Sequence, residues 1–380
     1  MSVPGANNSD QSPSLEPLCL TSPDPRRRGE VHGEHWREAI AQRAALRLEL
    51  ELRSRDLAAS DSLLADYERH WPQLEQHVPA MAQELRGIAQ GADLSPSRVL
   101  MLNTDPQPPS AGTVHGRVAE DGAACVGSTA VYFNGVGGPL LGLTVDRPAY
   151  AEAFVRMLRI APTDTEHETL CLTLVGSLGI AGIASTGVAV TLNGLRSTET
   201  SVGVLASARV RAMLAQPDAA TAHALLRAMP RCGGHHTMIA DGHDYYGVET
   251  NAALAVLTQL GPRAAHLHTN HYFDPILRRS ETRQPGSTSH HRLNLATTIY
   301  AQQRPRDVEG MWSLLHSRDG SAGSLCVEPD AKAGPHAMAT CAVMVMGLHD
   351  GRVRVVRGAA HRSPPRELSI RRWVGQPPRE

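Results

Sequence analysis

The sequence predicts an α+β protein with a layered sandwich architecture, and three observations carry that prediction. Residues from Glu30 to about Leu102 repeat their apolar positions at helical spacing. From residue 126 onward the chain turns into short β-prone runs separated by two helical stretches and closed by a hairpin. No G-x-G-x-x-G or G-K-S/T segment follows a strand, and no internal repeat is visible. Strands and helices that are segregated along the chain favour layered α+β packing over a doubly wound α/β sheet.

Residues 1–16 are rich in Ser, Pro, Asn and Gly, and their composition predicts disorder. Pro17-Leu18-Cys19-Leu20 is a short candidate strand, and Pro23 to Arg28 reads as a loop. Trp36, Ile40, Ala44 and Leu48 form one helical stripe; Leu63, Leu64 and Tyr67 form a second, with Asp61 as a cap. Leu74, Val78, Met81, Leu85 and Ile88 form a third that stops at Gly91, and Ser95-Pro96 opens a short fourth helix with Pro at its first position. Residues 103–122 are Pro-, Gly- and Ser-rich and predict an exposed loop.

Beyond it, strands are expected at 126–133, 139–146, 170–176 and 181–192, then helices at about 203–215 and 218–229. A hairpin joins 236–240 to 245–250 through Asp241-Gly242-His243-Asp244, and a further strand reaches His268. A polar loop at 274–288 precedes helices at about 289–302 and 307–317, and a final hairpin pairs 339–347 with 352–358. The domain reading is a 1–16 tail, a helical segment 17–124 and a core 125–380, together one functional domain.

With 380 residues, 41% of them hydrophobic and 20% charged, the chain is long enough to bury a sizeable core. A net charge of −1 and only 4% aromatics offer nothing to nucleic acid or to a membrane surface. The polar first ten residues lack a secretory pattern and no apolar run of about 20 residues occurs, so a cytoplasmic location is expected. Cys19, Cys125, Cys171, Cys232, Cys326 and Cys341 are scattered without a C-x-x-C pair, which points away from a disulfide framework or a zinc site. Of the 19 histidines, His235-His236, His268 with His271, and His290-His291 invite a metal reading. Adjacent residues on a strand point to opposite faces, however, and no acidic or Cys partner is spaced to help, so no metal and no cofactor are expected.

Cys125 heads the run Val126 to Phe133 directly after the loop, and a return strand ends in Asp146. A cut after Ala124 would place a thiol and a new α-amino group on one residue. An α-amine titrates at about 7.7–8.0, so it can serve as the general base for its own side chain near neutrality. Such a site needs donors for an oxyanion, and Asn side chains serve without changing protonation. Asn193, closing Val188 to Gly194, and Asn270, in His268-Thr269-Asn270-His271, are the candidates. Taken singly, Asn193, Asn270 and Asp146 read as turn or cap residues.

In combination these segments resemble the acyl-CoA:6-aminopenicillanate acyltransferase family, which includes isopenicillin N acyltransferase and carcinine-hydrolase-like relatives. Arg28 to Gly33 resembles the start of that family's first helix. Glu84 to Ala92, followed by Val99 to Thr104, is similar to a later stretch. Pro139-Leu140-Leu141-Gly142-Leu143-Thr144-Val145-Asp146 looks like the strand that reads G-Q-N/T-W-D in the family. Ser185 to Leu195 resembles its S-A-G-V-A-V run with a trailing Asn, and Gly242-His243 through Glu249 and His268 to His271 also match. The resemblance implies a self-cleaving N-terminal nucleophile hydrolase with a four-layer αββα sandwich, cut into a short helical chain and a longer chain that stay associated. It implies Cys125 as nucleophile, Asp146 orienting its α-amine, Asn270 in the oxyanion hole, Asn193 as a further polar contact, and Ala124 and Thr129 at the processing site.

Three positions depart from the pattern. Val126 follows Cys125 where Thr or Ser is usual, and an alternative register sets Gly127-Ser128-Thr129-Ala130 on the family's G-C-T-x, with Ser128 as nucleophile and an ungapped spacing to Asp146. Cys125 is the preferred nucleophile here because a thiolate is intrinsically the more reactive. Leu143 and Val145 replace Gln and Trp, which implies a more apolar pocket floor. Val327 replaces the Arg expected after Ser324-Leu325-Cys326, so a guanidinium near the site is expected to be missing. The implied substrate is a small amide, with acyl-CoA as a possible co-substrate. A chain that had lost activity and kept the sandwich as a binding or scaffolding protein is the alternative reading, resting on Val126 and Val327.

Overall fold

The structure, a computed structural model, describes residues 15–55, 60–104, 126–261, 265–282, 286–328, 334–359 and 361–374. Its N-terminal segment holds one strand, β1 (Leu18–Leu20), and six helices: α1 (Pro25–His35), α2 (Arg37–Arg55), α3 (Ser60–Glu68), α4 (Trp71–His77), α5 (Pro79–Ala92) and α6 (Pro96–Leu102). Helix α1 begins well before Glu30, inside the stretch expected to be a loop, because the Asp24 carboxylate accepts the Arg26 N–H and Pro25 supplies a helical φ. Helix α5 ends on Asp93, held in the left-handed region at φ 55°.

Helices α1 and α5 meet backbone to backbone. A Cβ added to Gly29 would lie 2.0 Å from the Glu84 carbonyl oxygen, and one added to Gly87 would lie 2.0 Å from that of Arg26. No side chain fits there, so glycine at both positions is a packing requirement. The two stretches are far apart in sequence but form one joint.

The rest of the chain builds two sheets. One contains eight strands in the order β1, β4 (Val155–Ile160), β5 (Thr169–Leu174), β6 (Ala181–Ala184), β7 (Ala189–Gly194), β8 (His235–Ala240), β9 (Tyr245–Thr250) and β10 (Ala255–Leu260). The other contains six, in the order β11 (His266–His268), β2 (Ala130–Gly135), β3 (Gly138–Pro148), β12 (Met338–Gly347), β13 (Arg352–Arg357) and β14 (Arg366–Ser369). Period-two alternation sorts their side chains. Ala130, Tyr132, Leu141, Leu143 and Met344 share the inter-sheet core with Ala189, Met238, Ala240 and Tyr245. Tyr132 stacks on Tyr245 with ring centroids 4.0 Å apart.

The outward residues Val188, Val190 and Ile239 pack under helices α7 (Ala206–Leu214) and α8 (Ala219–Ala228). Val131, Phe133, Val343 and Val345 pack under α9 (Ser289–Gln303) and α10 (Val308–Leu315). The result is helix layer, sheet, sheet, helix layer, an α+β sandwich with a helical N-terminal segment. A buried Leu, Val or Met in such a core contributes about 1.5–3 kcal/mol.

Several elements differ from the sequence expectation. The run at 181–192 is two strands, broken at Gly187, whose φ is 92°. The chain leading to His268 contributes to both sheets, β10 to one and β11 to the other. Strand β4 was unreadable because it carries Arg156 and Arg159; Arg159 is buried and paired with Glu168.

Candidate active site

The β2–β3 hairpin turns at Asn134–Pro139, and its open end holds the site. Gly127 and Asp146 form an antiparallel bridge there, with Gly127 N–H to Asp146 O and Asp146 N–H to Gly127 O both 2.9 Å. A Cβ on Gly127 would stand 3.0 Å from the Asp146 Cβ and 3.3 Å from its Oδ2, so the carboxylate lies directly against the Gly127 backbone.

Ser128, the next residue, is buried. Its Oγ accepts hydrogen bonds from Asn193 Nδ2 at 2.9 Å and Asn270 Nδ2 at 3.1 Å. Its backbone N–H donates to Asn270 Oδ1 at 2.9 Å. Asn193 arrives on β7 and Asn270 just after β11, so both sheets reach the same hydroxyl. The orientation of the Asn270 amide follows from its partners: Oδ1 also accepts from Arg292 Nη2 at 2.6 Å, and Nδ2 also donates to the Gly194 carbonyl at 3.0 Å. Ser289 Oγ accepts the Asn270 N–H at 2.7 Å.

Asp146 is buried, and Thr340 donates to its Oδ1 at 2.7 Å. Among the described residues Oδ2 accepts no hydrogen bond, and Arg292 Nη1 stands 4.0 Å from it. Burial pushes this carboxyl above the usual carboxylate range, and the Arg292 charge and the Thr340 hydroxyl only partly offset that. Asn193 Oδ1 is likewise buried with no hydrogen-bond partner among the described residues.

Two site residues were missed by sequence reasoning, Arg292 and Arg147. From the buried face of α9, Arg292 donates to the Ser128 carbonyl at 2.7 Å, to Thr129 Oγ1 at 3.1 Å and to Asn270. Burial lowers its affinity for the proton, and Asp146 works in the opposite direction. The expectation of a missing guanidinium is therefore corrected: one is present, carried by a helix instead of the position now held by Val327. The available signal was the spacing of Ser289, Arg292 and Ala296, which places two polar residues on the buried stripe of a helix. A second guanidinium stands at Arg147, whose Nη1 donates to the carbonyls of Gly127 at 3.2 Å and Asp146 at 2.9 Å.

The remaining sequence candidates separate. Thr129 is tied to Arg292, and its N–H donates to Thr144 Oγ1 at 2.9 Å. Val327 lines a cleft of about 920 Å³ together with Gly127, Asp146, Asn270 and Arg292. A smaller hollow of about 80 Å³, bordered by Arg43, Asn103, Arg147 and Tyr150, adjoins it at Val126. Leu143 and Val145 line neither: they point into the inter-sheet core, where the strand alternation opposite Asp146 places them. Ala124 and Cys125 lie outside the described residues. Cys326 borders the larger cleft, but burial pushes its thiol up to about 11, which leaves little thiolate at neutral pH.

Strand geometry holds for His235 and His236 on β8, whereas His290 and His291 lie on α9, and His268 and His291 each do meet an acidic side chain. His235 reaches Arg209 at 2.9 Å, while His236 stacks on His268 with centroids 3.6 Å apart, and His268 meets Glu249 at 2.7 Å. Among the described residues no group of three or more His, Cys, Asp or Glu side chains is arranged to hold a metal ion. No helix among them is long and apolar enough to cross a membrane.

Fold and site together define a layered two-sheet α+β protein with a polar, two-sheet junction built around one seryl hydroxyl. Residues 138–362 match the acyl-coenzyme A:6-aminopenicillanic acid acyl-transferase family, and the chain belongs to that family. Among solved structures it is similar to penicillin V acylase from Agrobacterium tumefaciens, at 13% identity and TM-score 0.43 over 64% of this chain and 86% of that one. It is also similar to a mutant of the conjugated bile acid hydrolase from Clostridium perfringens, at 10% identity and TM-score 0.41 over 64% of this chain and 92% of that one. The family match supports an enzyme of the acyl-transferase type.

Proposed function

We propose that this chain cleaves itself between Gly127 and Ser128 and then acts as an amidohydrolase or acyltransferase with Ser128 as its N-terminal nucleophile. The observation that carries this reading is the convergence of Asn193 and Asn270 amide N–H groups on Ser128 Oγ. It supports the register in which Ser128 stands 18 positions before Asp146, and it gives that residue precedence over Cys125 in this proposal.

Once freed, the Ser128 α-amine would keep its contact with Asn270 Oδ1, and its added N–H groups would meet the Asp146 Oδ2 that the intact chain leaves without a hydrogen bond among the described residues. That carboxylate orients the amine. The neutral amine takes the Oγ proton as Oγ attacks an amide or thioester carbonyl, and Asn193 and Asn270 are the donors for the resulting oxyanion. Arg292 holds Asn270 and the Ser128 carbonyl in place and is a positioning residue. Collapse of the oxyanion breaks the substrate C–N or C–S bond, the leaving amine or thiol takes the proton held by the α-amine, and the acyl group on Oγ is then passed to water or to an amine.

The family description names an acyl-coenzyme A and a small β-lactam amine; a small amide or an acyl-CoA is the substrate class proposed here, with no metal or organic cofactor. Incubation with a panel of N-acyl amides and acyl-CoA thioesters, acid quenching and peptide mass spectrometry test the assignment. The expected result is an acyl adduct on the peptide beginning at Ser128. An adduct on Cys125, or turnover that survives Ser128→Ala, would overturn it.

A further inference from the structure

Resting on that self-cleavage reading, we infer that Arg147 is a catalytic residue of the cleavage step itself, forming with the Asp146 N–H a two-donor oxyanion hole for the Gly127 carbonyl. In the intact chain the Gly127 oxygen accepts the Asp146 N–H at 2.9 Å and Arg147 Nη1 at 3.2 Å. The same Nη1 is anchored on the Asp146 carbonyl at 2.9 Å, so the guanidinium spans the Gly127–Asp146 bridge. The amide nitrogen of the same peptide bond is held by Asn270 Oδ1 at 2.9 Å, and the hydroxyl that would attack is held by Asn193 and Asn270. The carbonyl oxygen, the amide nitrogen and the attacking hydroxyl are thus each held, with Asn270 serving both the nitrogen and the hydroxyl. The donors on the oxygen are distinct from those on the hydroxyl.

The step balances without an external oxidant or reductant. Ser128 Oγ bonds to the Gly127 carbonyl carbon, and the carbonyl π electrons move onto the oxygen held by Arg147 and Asp146 N–H. Collapse of that oxyanion breaks the Gly127–Ser128 C–N bond. The hydroxyl proton ends on the departing Ser128 nitrogen, with the Asp146 carboxylate against Gly127 as the group that can carry it. Water then hydrolyses the Gly127 ester, leaving a Gly127 carboxylate, a proton in solvent, and Ser128 with a free hydroxyl and a free amine. A cationic donor on the developing oxyanion is worth more than a neutral one because charge-assisted hydrogen bonds are the stronger kind.

The test is a time course of freshly translated full-length protein, read by intact mass. Arg147→Met should slow appearance of the 1–127 and 128–380 fragments by about 100-fold, the usual effect of deleting one oxyanion donor. Arg147→Lys should recover part of the rate, and methylguanidinium should accelerate Arg147→Ala, with melting temperatures certifying that each variant is folded. A merely structural Arg147 would not produce rescue by a diffusible cation. If the wild-type chain cuts at Gly127–Ser128 and a folded Arg147→Met chain cuts as fast, the inference fails while the self-cleavage reading stands. A wild-type chain that never cuts overturns the self-cleavage reading first.

Discussion

Two buried carboxylates in this molecule stand in opposite conditions. Glu84, at the α1–α5 joint, accepts from Arg211 at 2.9 and 3.1 Å and from Arg28 at 3.5 Å. Burial alone would push its carboxyl up, but the two guanidiniums outweigh that and hold it below the usual range. Asp146 is equally buried, yet among the described residues one of its oxygens accepts nothing, and its carboxyl is held above the usual range. A fully paired buried charge locks a joint, whereas a half-paired one is poised to gain a proton or a cation. The pairing, more than the burial, distinguishes a structural carboxylate from a chemical one.

Exchanging each carboxylate for its amide is the strongest way to break this comparison. Asp146→Asn should slow self-cleavage by about 1,000-fold, within the range of general acid–base catalysis, and leave a folded chain; intact-mass time courses and thermal melts read both. Glu84→Gln should do the reverse, preserving cleavage while costing about 3–5 kcal/mol in urea unfolding, because Arg211 then keeps a buried charge without its counter-ion. Gly29→Ala tests the joint sterically. With the Glu84 carbonyl 2.0 Å from the new Cβ, about 1–3 kcal/mol should be lost, again with cleavage retained once the chain is folded.

Acid sharpens the contrast from the structural side. His32, between these helices and the first sheet, accepts the Gly176 N–H at 2.9 Å, and burial pushes its ring down to about 3. The unfolded chain takes up this proton near 6.5, the folded chain only near 3. The His32 contribution is therefore fully present above about pH 6.5 and is lost by about 1.4 kcal/mol per unit as pH falls toward 3. Urea unfolding between pH 7 and 4 should show that slope, and a folded His32→Gln variant should show a shallower one. The smallest effect is expected from Thr340→Val, which removes the hydroxyl on Asp146 Oδ1: about 1 kcal/mol of stability and roughly tenfold in cleavage rate.

Much of the fold was legible because amphipathic periodicity and turn chemistry are local. The β2–β3 and β12–β13 hairpins and helices α7 to α10 fall near their expected positions. Strand β4 was not, since its arginines find partners only in the folded molecule. The separately noted Gly29 and Gly87 stretches showed no sign of touching, because contact between glycines leaves no periodic trace. At the site, Asp146, Asn193 and Asn270 were recognised, and the structure brings all three around the Gly127–Ser128 segment. Arg292 and Arg147 were not: the buried stripe that carries Arg292 signals burial and not its partner, and Arg147 was passed over beside Asp146. Each matters through a long-range bond to another chain segment, at separations that only tertiary structure closes.

If Ser128 is the N-terminal nucleophile we propose, the peptide bond before it is the one this chain breaks. Intact-mass and N-terminal sequence determination on purified protein, followed over prolonged incubation, tests it most directly. Two associated fragments are expected, the longer one beginning Ser-Thr-Ala-Val. A chain that stays whole, or a longer fragment that begins at Cys125, would contradict it.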